Sequence, residues 1–358
     1  MKPRPLLAVF FTSVLVPVLT GAAAPDGKQV FESNCAVCHG PQGKPDPANP
    51  VLRGFERLPA DFSDPLFASR EPSSYWLIVA THGGPALGFS DKMPAFGEAL
   101  SRDELEAVIA YVKTLAPAVA EYPPGDLNFF LGMRTKKAFP EDEVVWKVRQ
   151  TTRDGPNVLQ NRLEAEKRLG KRWQVSTELV HEFEGDHGNL SEIEPGFKYV
   201  AYYDLQRKII ASAGMAFAVP LNRDNATWAA VPFIAAGKWL GDSFTLQGSV
   251  RADLPEDNMS EDGSVEIGTL LHYRPPWMEP RGIFPGVEVL ALMPFDRVGR
   301  DAVQVAIAPQ VRLGLSKRGH VALHLGVQVP VNESGLYDFR GYAYLVWDFA
   351  DGMFWEAW

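Results

Sequence analysis

Trp173-Gln174-Val175-Ser176-Thr177-Glu178-Leu179-Val180-His181-Glu182-Phe183 decides the larger part of the fold. Trp173, Val175, Leu179 and Phe183 alternate with Gln174, Ser176, Glu178 and Glu182. Side chains of a strand point to opposite faces at period two, so this is a strand with one apolar and one polar face. The run before it, Leu159–Leu169, carries Gln160, Arg162, Glu164, Glu166 and Arg168 on one face, and Gly170 makes a tight turn between the two. Further alternating runs lie near 143–152, 196–206, 208–220, 228–237, 243–254, 264–274, 283–292, 302–315, 319–330 and 339–349. Together they predict about twelve antiparallel strands over residues 143–358.

Alternation does not say which face meets what. A soluble sandwich hides its apolar face, whereas a membrane barrel turns that face to lipid and lines its lumen with the polar one. Four features favour the barrel. Most runs approach the roughly 9–11 residues of a spanning strand. Connections are tight at Gly170 and Arg207, and longer and acidic at Glu184–Glu194 and Pro255–Gly263. The strand count is even. The chain closes on aromatic residues, Phe354-Trp355-Glu356-Ala357-Trp358. Residues 143–358 therefore resemble an outer-membrane β-barrel. The lumen would carry a mixed-sign set that includes Arg162, Glu164, Glu178, Lys198, Asp204, Arg251, Glu266, His272, Glu288, Arg312, His324 and Arg340. Twelve strands lie between the filled small barrels and the open large ones, so a narrow pore and a plugged lumen both fit.

A different chemistry stands near the start. Cys35-Ala36-Val37-Cys38-His39 is C-x-x-C-H, the attachment pattern for a c-type haem. Two thiols three positions apart on one helical turn reach the two vinyl groups of one haem, and the adjacent imidazole meets the iron. A redox disulfide and half of a zinc site also use such a pair. These are the only two cysteines, which leaves a zinc site without its second half. Around the motif, Asp26 caps a predicted helix through Val30 and Phe31. Ser101-Arg102-Asp103-Glu104 is a capping box that opens another, with Leu105, Val108, Ile109, Val112 and Leu115 on one face. Between them Lys92-Met93-Pro94 places a methionine in a Pro/Gly-bounded loop. Thioether sulfur is a soft iron ligand, so Met93 is the expected sixth ligand, with His82 as the rival.

On these residues, 25–120 resemble a class I cytochrome c. The matching elements are Gly27 and Phe31 of the first helix, Cys35-Cys38-His39, Met93-Pro94, and Tyr111 of the last helix. The resemblance implies an all-α domain whose first and last helices cross. It also implies one covalent haem c on Cys35 and Cys38, His39 and Met93 as axial iron ligands, and one-electron transfer. With both axial places filled the iron has no substrate position, and an electron carrier rather than an enzyme is expected.

The domain reading is then a signal peptide at 1–24, a cytochrome domain at 25–116, a Pro-rich linker at 117–142 and the barrel at 143–358. Lys2 and Arg4, the apolar run Leu6–Leu19 and Gly21-Ala22-Ala23-Ala24 form the export signal. The apolar run is shorter than the roughly 20 residues of a spanning helix. The net charge of -9 argues against nucleic acid. A hydrophobic share of 46% excludes a disordered chain. Expected partners are a periplasmic electron carrier or redox protein, the outer membrane, and an external electron donor or acceptor. The whole resembles the fused monohaem cytochrome–porins of iron-oxidising bacteria. It departs from them in its smaller barrel and complete cytochrome domain, which puts extracellular iron oxidation in doubt. Two other readings stay open: a narrow outer-membrane channel sensed by the cytochrome, and a soluble periplasmic redox module with a β-domain.

Overall fold

The structure is a computed structural model. It describes residues 24–117, 119–185, 187–221, 227–257, 259–275, 278–296, 303–332 and 337–349. The expected export signal, apart from its last residue Ala24, and the closing aromatic residues lie outside the described residues.

The first part is helical. Its elements are α1 (Gly27–Asn34), α2 (Ala36–His39), α3 (Pro65–Arg70), α4 (Ser73–His82) and α5 (Arg102–Val112). The Asp26 carboxylate caps α1 by accepting the Lys28 amide at 2.9 Å. Ser101 and Glu104 cap α5 reciprocally, as the capping box predicts. α1 and α5 cross at Gly27, where an added Cβ would lie 2.1 Å from the Ala107 carbonyl oxygen. One turn on, the Phe31 and Tyr111 rings meet at 5.6 Å over buried Val30, Val108 and Val112. His82, the rival sixth ligand, is the last residue of α4. Glycines at 83 and 84 stop the helix immediately after it.

The second part is a closed barrel of twelve antiparallel strands. They are β1 (Glu143–Thr152), β2 (Val158–Leu169), β3 (Trp173–Glu184), β4 (His187–Asp204), β5 (Ile209–Pro220) and β6 (Ala229–Leu240). Then follow β7 (Phe244–Pro255), β8 (Ser264–Tyr273), β9 (Ile283–Pro294), β10 (Gln304–Gly314), β11 (Val321–Pro330) and β12 (Phe339–Asp348). Each pairs with its sequence neighbours, and β1 closes on β12 from Glu143 opposite Asp348 to Thr152 opposite Phe339. Closure leaves no strand edge unpaired. The apolar face points outward: Trp173 is 48% exposed, while Gln174 beside it is 2% exposed. Tight turns at 170–172, 205–208 and 241–243 gather at one end, here the near end, together with the start of β1 and the end of β12.

Two local readings are corrected. The stretch Glu184–Glu194 is not a long loop. β3 and β4 run on to Glu184 and His187, with a bulge between Val180 and His181. A second irregularity between Val200 and Tyr202 re-aims the end of β4. Asp204 therefore leaves the lumen and accepts the Arg207 amide at 2.9 Å in the near turn.

The span 117–142 does more than space two domains. Gly125 passes so close to the end of α3 that a Cβ there would lie 1.8 Å from the Arg70 carbonyl oxygen. From Leu127 the chain enters the barrel, turns at Gly132–Thr135 and returns to β1, with Leu127, Phe129, Met133 and Phe139 buried. This plug has no regular structure of its own, so its backbone groups need partners inside the lumen. The lumen side chains supply them. The Glu288 carboxylate accepts the amides of Met133 (3.2 Å), Arg134 (3.1 Å) and Thr135. Gln247 donates to the Phe130 carbonyl at 2.7 Å, Tyr344 to Met133 at 2.8 Å, and Lys198 to Phe139 at 2.7 Å. Of the two lumen states that the sequence left open, the structure shows the plugged one.

Removing the Glu288 acceptor strands three buried amides. Glu288→Ala is expected to destabilise the barrel by about 3 kcal/mol. The measurement is the temperature at which the folded, fast-migrating form is lost on unheated gels.

Candidate functional site

Residues 35–39 form one helical turn across the joint of α1 and α2. The His39 amide donates to the Cys35 carbonyl at 3.0 Å, and Cys38 to the same oxygen at 3.2 Å. Gly40 ends the turn at φ 76°, where a Cβ would lie 2.1 Å from the Lys44 carbonyl oxygen. The two cysteines are half-buried and not bonded to each other. Burial, then the neighbouring Cys38, pushes the Cys35 thiol up to about 11.

His39 is oriented from both sides. Its Nδ1 lies 3.2 Å from the Ala60 carbonyl, which fixes the proton there and leaves Nε2 with a free lone pair. Its ring stacks on Phe62 at 4.4 Å, and Phe62 in turn meets Trp76 at 5.3 Å. Burial lowers the His39 pKa, with the Ala60 bond opposing. The imidazole is therefore neutral at neutral pH, the form that binds a metal.

The Met93 loop is laced to the end of α4. Gly84 donates to the Met93 carbonyl at 3.0 Å, Phe96 to Ala80 at 2.9 Å and Gly97 to Thr81 at 3.0 Å. The approach needs glycine: a Cβ on Gly84 would lie 2.2 Å from the Ser90 carbonyl oxygen and 3.2 Å from Met93 Cβ. A neutral imidazole with Nε2 free, a thioether on a pinned loop and two thiols on one turn form a donor set that fits a covalent haem c. Among the described residues no cluster of three or more His, Cys, Asp or Glu side chains offers an alternative metal site.

The helical domain is docked on the near end of the barrel, a contact that sequence reasoning missed. Arg70 pairs with buried Asp142. His320 Nε2 lies 3.3 Å from the Glu71 carboxylate. Asp126 caps α4 by accepting the Ser73 amide at 2.9 Å and its hydroxyl at 3.0 Å, a task that Pro72 at the cap position cannot perform. The β10–β11 turn reaches the segment next to the Met93 loop. There Arg318 donates to the carbonyls of Leu87 (3.2 Å) and Gly88 (3.3 Å), and lies 4.2 Å from the Phe89 ring. The only sequence signal was the basic pair Lys317-Arg318 in a turn, which also fits a solvated turn.

A helical domain with a C-x-x-C-H turn and a methionine loop, seated on a closed barrel, defines a c-type cytochrome fused to a β-barrel. The cytochrome c family model matches residues 24–116. Over 118 residues the chain is 33% identical to cytochrome c6 of Rippkaea orientalis, covering 33% of this chain and 91% of that protein. The chain belongs to the cytochrome c family, whose members carry electrons. Solved structures similar in shape include outer-membrane channels and porins. An outer membrane channel from Pseudomonas putida F1 has a TM-score of 0.45 at 15% identity, covering 63% of this chain and 99% of that one. The KdgM porin has a TM-score of 0.41 at 12% identity, covering 57% and 99%. These likenesses describe strand architecture alone.

Two outcomes are expected. Met93→Ala should remove the sulfur-to-iron absorption band at the red edge of the oxidised spectrum while the haem stays covalently attached. Glu71 carries a second test. Burial raises its pKa, but the His320 bond and the charges of His320, Lys113 and Arg70 outweigh that and hold the carboxylate below the ordinary range. A depressed carboxylate contributes stability above the unfolded value that is lost as pH falls through the folded one. Docking should therefore loosen only below the ordinary carboxylate range, and Glu71→Gln should weaken it by about 1–3 kcal/mol at neutral pH. Limited proteolysis within 117–126 reads both.

Proposed function

We propose that the protein is a monohaem c-type cytochrome that transfers one electron at a time at an outer membrane, anchored there by its barrel. Cys35 and Cys38 hold the haem covalently, and His39 and Met93 are its axial ligands. When bound, the haem supplies the one-electron redox couple. The chain's own residues orient it: Ala60 holds His39 in the ligating tautomer, and the α4 end holds the Met93 loop.

The observation that carries the reading is the seating of the cytochrome on the end of a barrel with an apolar outside. Water would penalise that exterior by roughly 25 cal/mol per Å², whereas hydrocarbon does not. Aromatic groups sit at both ends of the exterior. Trp173 meets Tyr199 at 4.7 Å and Phe244 meets Tyr273 at 5.1 Å at the near end, while Phe217 and Trp228 lie 6.4 Å apart toward the far end. Such girdles and short inner turns are features of outer-membrane barrels. Short turns mark the periplasmic side, so the near end with its cytochrome is periplasmic and residues 1–24 are the export signal. The plug favours an anchor over a solute channel. Strands of about ten residues at roughly 3.3 Å each place the far mouth a membrane's depth from the haem. Exchange with a periplasmic carrier is thus the primary step.

Cells expressing the chain with haem-maturation factors should show haem stain in the outer membrane, in a band whose migration shifts on heating. Haem stain confined to the soluble periplasm would overturn the membrane assignment. The same cells should not have their haem oxidised by a non-permeant oxidant.

A further inference from the structure

The plug fills the near half of the lumen and stops at Gly132–Thr135. Beside its tip, between the plug and strands β1–β4, lies a cavity of about 90 Å³. Eight basic and four acidic side chains line it, in a chain whose net charge is -9. Most of these cations are matched. Lys147 meets Glu178 at 2.7 Å, Arg162 meets Glu194 at 2.9 Å and Arg134 meets Glu266 at 2.8 Å.

Two lumen-facing arginines are not: Arg149, which lines this cavity, and Arg340 on the adjoining strand β12, outside the cavity lining. Arg149 on β1 bonds only to the neutral Gln160 side chain, and its buried Nε has no partner. Arg340 on β12 lies 4.0 Å from the Tyr337 ring, and its buried Nε also has no partner. Neither meets a carboxylate among the described residues. The strand register explains why they matter together. Arg149 stands opposite Tyr342, and Arg340 opposite Thr151. Arg162 stands opposite Lys147 on the other flank. Arg162, Arg149 and Arg340 thus form a diagonal row across β2, β1 and β12, all facing the lumen. Diagonal neighbours in a sheet are about 7–8 Å apart, within reach of long side chains. Like charges at that spacing repel unless an anion lies between them.

We propose that the far half of the lumen is a binding site for a small oxyanion, of phosphate or carboxylate chemistry, held by Arg149 and Arg340. Guanidinium forks match both groups bidentately. Arg162 ends the row, but Glu178 and Glu194 already occupy it, so it adds field rather than hydrogen bonds.

The test uses the full-length, haem-loaded protein in detergent, titrated calorimetrically with inorganic phosphate at constant ionic strength. Wild type should give saturable heat. Arg149→Gln and Arg340→Gln should each weaken binding about tenfold, the loss expected for one charge-assisted pair. Arg149→Lys, which keeps the charge, should fall between wild type and Arg149→Gln. Heat-shifted migration on gels checks that each variant is folded. No saturable heat in wild type overturns the proposal whatever the variants do. Wild-type affinity in either folded glutamine variant overturns it too.

Discussion

Irregular backbone inside a barrel must find hydrogen-bond partners, and that requirement organises this molecule. Residues 127–142 bring both apolar side chains and unpaired amides into the lumen. Glu288 answers the amides of three successive residues at the tip. Gln247, Tyr344 and Lys198 donate to carbonyls of the segment, and Gln174 accepts one further amide, along the way. The polar lumen face is therefore only partly an ion-pair lattice. Much of it is a complementary surface for one segment of the same chain, and the rest is charge matched across strands, as Lys147 and Arg162 show.

The same segment joins the two domains mechanically. Asp126 caps α4 of the cytochrome, while its backbone carbonyl accepts the indole of Trp239 on β6 at 2.7 Å. Asp142, at the other end of the plug, holds Arg70 of α3 together with Lys167 of β2. Each end of the plug thus grips both bodies. The contacts of Arg318 beside the Met93 loop add a third tie. The barrel is in this way part of the haem domain's surroundings.

The alternation from Trp173 to Phe183 and its repeats showed the barrel in sequence because every strand has one face on lipid and one on polar contents. Cys35-Cys38-His39 and the Ser101–Glu104 box were legible because their chemistry is local. The plug was not legible. Leu127, Phe129, Phe130, Met133 and Phe139 follow no period, since they fill gaps between fixed walls rather than one face of a helix or strand. The bulges in β4 were hidden for a related reason: a single extra residue reverses facing without changing composition, as Asp204 shows. Docking escaped because its partners, Glu71 and His320, are 249 residues apart.

The plug enters and leaves by the same mouth. Its first residues lie by Trp239 and its last by Arg168, both close to near-end turns. A chain that makes such a U-turn is not threaded through the cylinder and forms no knot. The barrel need not close around a pre-set core, and the core need not wait for the barrel. The segment can slide in after the strands have met, pulled up by its own hydrogen bonds, with the cytochrome as a stop too wide to follow. The order of maturation is then free. A covalently loaded cytochrome can be finished in one place and a membrane cylinder in another, with the final step a simple seating of one into the other.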